Sequence, residues 1–233
     1  MGNKSLAMGK KLFCFVLFLA VAGGCPAQSN QELRDSLSTL IQQVNRFPDD
    51  VDLRFRKAAV NLLLEQWDYA IEEYSFILKK GENATAFFYR AYAYTRVGNY
   101  AFARADYESL LKLQPTHFEG LLGLALLNDR DHRPTEAMDM MNRLVEMYPE
   151  NATAYAVRGG MEKDRHLYDL AEYDFSEAIR LDPAEPQYLL NRAVIRITLG
   201  EKRLAKEDLD QAVRLGISRA ELTSLYAQVK EKY

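Results

Sequence analysis

The stretch ATAFFYRAYAYTRVGNYAFARADYESLLKLQPTH, residues 84–117, decides the fold. Its Ala103 returns as Ala137, Ala171 and Ala205, one every 34 residues, and its Pro115 returns in step as Pro149 and Pro183. A fixed period in this range marks an array of one small unit, stacked copy on copy. The functional question therefore moves from a single pocket to an extended surface.

Working outward from this stretch, five units cover residues 51–219: 51–83 (one residue short), 84–117, 118–151, 152–185 and 186–219. Each carries two helical stretches joined by a short turn. The eighth position holds Ala58, Ala91, Ala125, Gly159 and Ala193, and the twentieth holds Ala70 and the four ladder alanines. Small side chains at two fixed points let the paired helices approach closely; larger groups there would cost roughly 1–3 kcal/mol in overpacking. Bulky residues at the twenty-fourth position (Tyr74, Tyr107, Met141, Phe175, Leu209) are placed to fill the space between neighbouring units. The recurring prolines end each second helix, because proline cannot continue the hydrogen-bond ladder.

A second regularity is electrostatic. Sixteen residues separate Lys57 from Glu73, Arg90 from Asp106, Arg158 from Asp174 and Arg192 from Asp208, while the third unit holds Leu124 and Met140 in the same slots. Both charges vanish together, as structural ion pairs facing each other across two helices should. Removing one buried partner is expensive, and replacing both can be neutral.

Ala91, Tyr94, Gly98, Tyr100, Ala103, Tyr107, Leu110 and Pro115 make the second unit resemble the tetratricopeptide repeat family. The resemblance implies an all-α fold, a right-handed α-solenoid of five antiparallel helix pairs. Capping helices are expected at both ends, where an array must hide its outermost apolar faces. The N-terminal cap, within 28–50, carries the one-sided stripe Leu33, Leu37, Leu40, Ile41 and Val44, with Ser29 and Glu32 as a capping box. At the other end Gly216 can stop the last array helix, and Ser218 with Glu221 suggests a capping box opening a helix over 220–233.

The first 27 residues read differently. Lys4, Lys10 and Lys11 precede the apolar run Leu12 to Ala22 and then Gly23 and Gly24, the pattern of an export signal. Eleven apolar residues fall short of the roughly 20 that span a bilayer. Two processing points remain open: cleavage after Ala27, or cleavage before Cys25 with lipid placed on its sulfur. Ala22-Gly23-Gly24-Cys25 resembles a bacterial lipoprotein box, departing from it where a larger aliphatic residue usually replaces Ala22. A periplasmic or outer-membrane-anchored location is expected, with the membrane reached only through a lipid at Cys25.

Apolar residues make up 48% and charged residues 27%, an ordinary composition for a folded chain. Loss of three leader lysines takes the formal net charge from −3 to −6, which argues against nucleic acid as a partner. Both cysteines, Cys14 and Cys25, lie in the leader, so stability of the body must come from packing rather than disulfides.

Catalytic chemistry is not signalled. No phosphate loop, nucleophile elbow or paired-cysteine zinc pattern occurs, and no cofactor or metal is expected. His132 and His166 stand one repeat apart, but in the turn slot that Gly98 and Gly200 fill in other units. They are read as turn residues in left-handed backbone, which His tolerates better than most. Asn83 and Asn151 head acceptor-like Asn-Ala-Thr triplets, yet each immediately precedes a first helix and is read as its cap.

In the family, first helices line a concave groove through their second, fifth, ninth and twelfth residues. The resemblance assigns to such a surface Phe55, Phe88, Tyr92, Leu122, Leu126, Leu190 and Val194, with Arg96 and Arg130 near its edge. The lysine and asparagine set that clamps a terminal carboxylate in chaperone-binding members is missing. An apolar lining suits an amphipathic helix or extended apolar peptide. The expected function is a non-catalytic scaffold for a protein or peptide partner; the alternative is a self-associating structural subunit, and the oligomeric state stays open.

Overall fold

The computed structural model describes residues 30–230, and the leader, with Cys25 and Ser29, lies outside them. Among the described residues the secondary structure is entirely helical. A lone N-terminal helix α1 (Asn30–Arg46) is followed by five pairs: α2 (Val51–Leu63) with α3 (Trp67–Lys80), α4 (Ala84–Arg96) with α5 (Tyr100–Leu113), and α6 (Phe118–Arg130) with α7 (Pro134–Met147). The last two are α8 (Ala152–Asp164) with α9 (Tyr168–Leu181) and α10 (Pro186–Leu199) with α11 (Lys202–Arg214), after which comes the short α12 (Thr223–Gln228). The chain divides into two compact units between Pro115 and Thr116. In each, every helix packs on the next one in sequence.

The same local chemistry starts and stops every pair. Asp50, Asn83, His117, Asn151 and Glu185 cap the first helices, each side chain accepting a backbone N–H two or three residues on. That satisfies one of the orphan donors at a helix start. Second helices end at Gln114, Tyr148 and Asp182, each directly before a ladder proline. The turn slot inside each pair is left-handed throughout, with φ of 56° at Glu65, 78° at Gly98, 57° at His132, 61° at His166 and 84° at Gly200. The two histidines are turn residues, and Glu65 joins them although its side chain has no special tolerance for that backbone.

All nine alanines at the eighth and twentieth positions are fully buried. The tenth site, Gly159, shows why they are small. A Cβ there would lie 3.0 Å from the Asp174 Cβ and 3.3 Å from the Ala171 carbonyl oxygen. The twenty-fourth positions reach into the following unit: Tyr74 stacks on Tyr89 at 5.8 Å, Met141 packs with Ala154 and Met161, and Phe175 packs with Ile195.

The ion-pair slots meet as their spacing requires. Lys57 Nζ lies 2.6 Å from Glu73 Oε1, and Arg54 adds a second contact at 2.7 Å to Oε2. Arg90 holds Asp106 through two parallel bonds of 2.7 Å. Arg158 grips Asp174 at 2.7 and 2.8 Å, and Arg192 grips Asp208 at 3.1 and 2.7 Å. The third nitrogen of each arginine donates to the preceding unit, to Ser75, Asn142 and Ser176 respectively. One guanidinium thus ties its own helix pair and staples it to its neighbour. In the third unit Leu124 is buried and Met140 half-buried, an apolar substitute for the pair.

The C-terminal cap departs from the sequence expectation. Ser218 bonds the Ala220 N–H within a turn, and the helix begins only at Thr223, behind Leu222, with no side-chain cap. Leu222, Tyr226 and Val229 still cluster with Ala193, Ala205 and Leu209, so a six-residue helix and the residues flanking it cover the end of the array.

Two glycines side by side test the close-packing argument. Gly159→Ala should destabilise by about 1–3 kcal/mol through the contacts above. Gly160→Ala meets nothing within 4 Å and should stabilise by about 1 kcal/mol, the helix-propensity difference. Urea unfolding of both variants measures the contrast. For the charges, Asp106→Met alone should cost about 3–5 kcal/mol by stranding Arg90, while adding Arg90→Leu, in imitation of the third unit, should recover most of that loss. Additive losses in the same assay would contradict the pairing.

Candidate functional site: the first-helix faces

First helices offer one face to solvent in each compact unit. In the 30–115 unit the accessible part is built by α4 and the start of α3. Tyr92 packs edge-on against Trp67, with ring centres 5.9 Å apart, and the Arg96 guanidinium lies 4.5 Å from the Trp67 ring. Arg96 also donates to the Tyr92 hydroxyl at 3.1 Å. The result is an aromatic corner held by a cation–π contact, with Arg96 itself exposed. Phe55 is half-buried and set edge-on to Tyr74. Trp67 is absent from the sequence-derived set, although aromatic residues recur at its slot as Tyr100 and Tyr168.

In the 116–230 unit α6, α8 and α10 lie side by side. Arg165 reaches back from the turn after α8 to Asp129 of α6 at 2.6 Å, and Lys163 of α8 reaches Asn191 of α10 at 3.5 Å. The ninth positions of these helices are Leu126, Gly160 and Val194. Leu126 and Val194 are each 39% exposed, and Gly160 between them leaves open space where a side chain would stand. Arg130 is exposed one turn beyond Leu126.

Burial corrects part of the expected lining. Phe88 is 6% exposed, wedged edge-on against Tyr89 and Tyr107, and Leu122 is 5% exposed in a cluster with Ala125, Met141 and Leu144. Leu190 packs against the cluster beneath α12. Phe88 and Leu122 therefore belong to the core, packed on the second helix of their own pair, while Phe55 and Leu190 are half-buried. Tyr92, Arg96, Leu126, Arg130 and Val194 remain accessible. Among the described residues no cluster of His, Cys, Asp or Glu is arranged to hold a metal ion. His166 instead shares a 2.8 Å contact between Nδ1 and the Tyr168 hydroxyl. No described helix is long and apolar enough to cross a membrane.

This architecture has relatives. Residues 88–152 match the tetratricopeptide repeat family. Small glutamine-rich tetratricopeptide repeat-containing protein 2 of Saccharomyces cerevisiae is 24% identical over 140 residues, 60% of this chain and 37% of its own length. The chain spans between 6% and 52% of the length of the curated relatives it matches. Among solved structures, a tetratricopeptide repeat protein from Parabacteroides merdae superposes with a TM-score of 0.67 at 19% identity, covering 85% of this chain and 78% of that one. YrrB, described as a TPR protein with an unusual peptide-binding site, gives a TM-score of 0.53 at 18% identity over 76% of this chain and 92% of its own. The 34-residue period, the five helix pairs and the matched segment agree on one architecture, that of a tetratricopeptide-repeat solenoid.

Proposed function

We propose that this protein is a non-catalytic scaffold of the cell envelope that holds an apolar peptide or amphipathic helix against its first-helix faces. The observation that carries the reading is the Leu126–Gly160–Val194 row. Two exposed apolar side chains flank a gap on three adjacent helices, where a water-facing wall would ordinarily be polar. Contiguous exposed apolar surface of this kind marks interaction sites. The aromatic corner of Trp67, Tyr92 and Arg96 supplies a second, separately placed patch. The peptide-binding site described for YrrB is a precedent on the same fold, though fold alone does not choose a ligand. Envelope location rests on the leader residues Lys4 to Gly24, with Cys25 as the candidate lipid attachment point.

A second reading has its own support. Leu167, Leu170 and Tyr173 are exposed at three-residue spacing along and just before α9. Such a row suits a self-associating structural subunit, with another copy covering it.

Both readings are testable on the mature protein. Peptides selected by display against it should bind with an affinity that Leu126→Asp plus Val194→Asp lowers at least tenfold, about 1.4 kcal/mol, with helicity and melting unchanged. Retained affinity would move the site elsewhere. Sedimentation supplies the companion measurement: a monomer at micromolar concentration favours the scaffold, and a dimer lost on Leu170→Glu with Tyr173→Glu favours self-association.

A further inference from the structure

One buried carboxyl group has no place in the ion-pair scheme. In the last three units the eleventh position faces the twenty-third, twelve residues on. In the fifth unit Arg196 donates to Asp208 at 2.9 Å, and in the third Asn128 donates to the Met140 sulfur at 3.2 Å. In the fourth unit the same two slots hold Glu162 and Asp174. Asp208 is thereby held by two guanidinium groups, Arg192 and Arg196, whereas Asp174 has one, Arg158, and a second acid in place of the other. Asp174 is 1% and Glu162 6% exposed, and Glu162 Oε2 is buried without a hydrogen-bond partner.

We propose that Glu162, buried beside the Arg158–Asp174 pair, holds a proton and makes the α8–α9 pair a pH-sensitive joint, tight while the proton is held and loosened when it leaves. Two carboxylates around a single guanidinium in a buried interior cannot both be charged without an uncompensated negative charge. The groups facing Glu162 bear this out element by element. Its own helix offers Arg158, already committed to Asp174, and α9 offers Asp174 itself. From α7, the neutral Asn142 is bonded to Arg158. From α10, Arg192 and Arg196 are held on Asp208 and Glu172. Lys163 and Arg165 are turned to Asn191 and Asp129.

Burial first, and the Asp174 charge second, push the Glu162 carboxyl up to about 7 from its ordinary 4.5. The folded chain then holds a proton that the unfolded chain has already released. Stability contributed by this proton is therefore greatest at the acid end and falls as pH rises through that window, levelling off above it. Since α8 carries Gly160 and Lys163 between α6 and α10, loosening it disturbs the middle of the exposed apolar row.

The test is urea unfolding and amide hydrogen exchange at pH 5 and pH 8 on the wild type and on Glu162→Gln. The amide keeps the shape and a donor for Asp174 but cannot ionise. The wild-type unfolding constant should rise on the order of 100-fold more than that of the variant between these pH values. The faster exchange should be concentrated in α8 and α9. Equal pH dependence in the two proteins would overturn the proposal. Should the variant fail to fold, the infrared band of a protonated carboxyl group in the wild type at pH 6, lost by pH 8, supports it, and absence of that band at pH 6 overturns it.

Discussion

Two α-helices with ordinary side chains at their crossing stand some 8–10 Å apart, depending on what fills the contact. Here nine alanines and a glycine occupy the two contact points of every pair, and everything else in the architecture follows from the resulting proximity. Only closely nested helices bring a seventh-position arginine onto a twenty-third-position aspartate through two parallel bonds, as at Arg90 and Asp106. The same nesting presents the twenty-fourth-position side chain to the next unit, where Tyr74 stacks on Tyr89 and Phe175 meets Ile195. Phe88 and Leu122 are buried by the same nesting, and Leu126 and Val194 are left as the accessible part of the first-helix face.

The charged slots add registration to this packing. A bidentate arginine–carboxylate pair is directional where apolar contacts are not. Each such arginine spends its remaining donor on the preceding unit, so the charge that fixes one pair also fixes the step to the next. The third unit dispenses with the device and folds on Leu124 and Met140 instead. Registration there rests on the Leu122, Met141 and Leu144 cluster. The fourth unit goes the other way, carrying one acid too many beside a glycine pair. It is the place where the array trades firmness for sensitivity.

Features that repeat with constant chemistry were legible in the amino-acid sequence. The alanine ladder, the prolines and the sixteen-residue charge spacing each name their partner by recurrence, and the simultaneous loss of both charges in one unit identifies the pair. Features whose chemistry changes from unit to unit were not. The eleventh position runs Asn61, Tyr94, Asn128, Glu162, Arg196, a series with no common property, and only coordinates reveal that it faces the twenty-third. Glu65 in left-handed backbone was hidden for the same reason, since nothing about glutamate announces a turn slot that glycine and histidine mark elsewhere. The burial of Phe88 and Leu122 depends on how closely the second helix of each pair lies against the first. That is a property of the packed pair, invisible in the residue pattern alone.

The central claim is that undersized residues at the helix crossing hold the array together, and Ala171 is the place to challenge it. It is fully buried, and its carbonyl is among the nearest atoms to the space beside Gly159. Calorimetric unfolding of Ala171→Leu should show a loss of about 1–3 kcal/mol, since the added bulk must push α8 and α9 apart. Unchanged or increased stability, with the extra side chain accommodated between unmoved helices, would contradict the account.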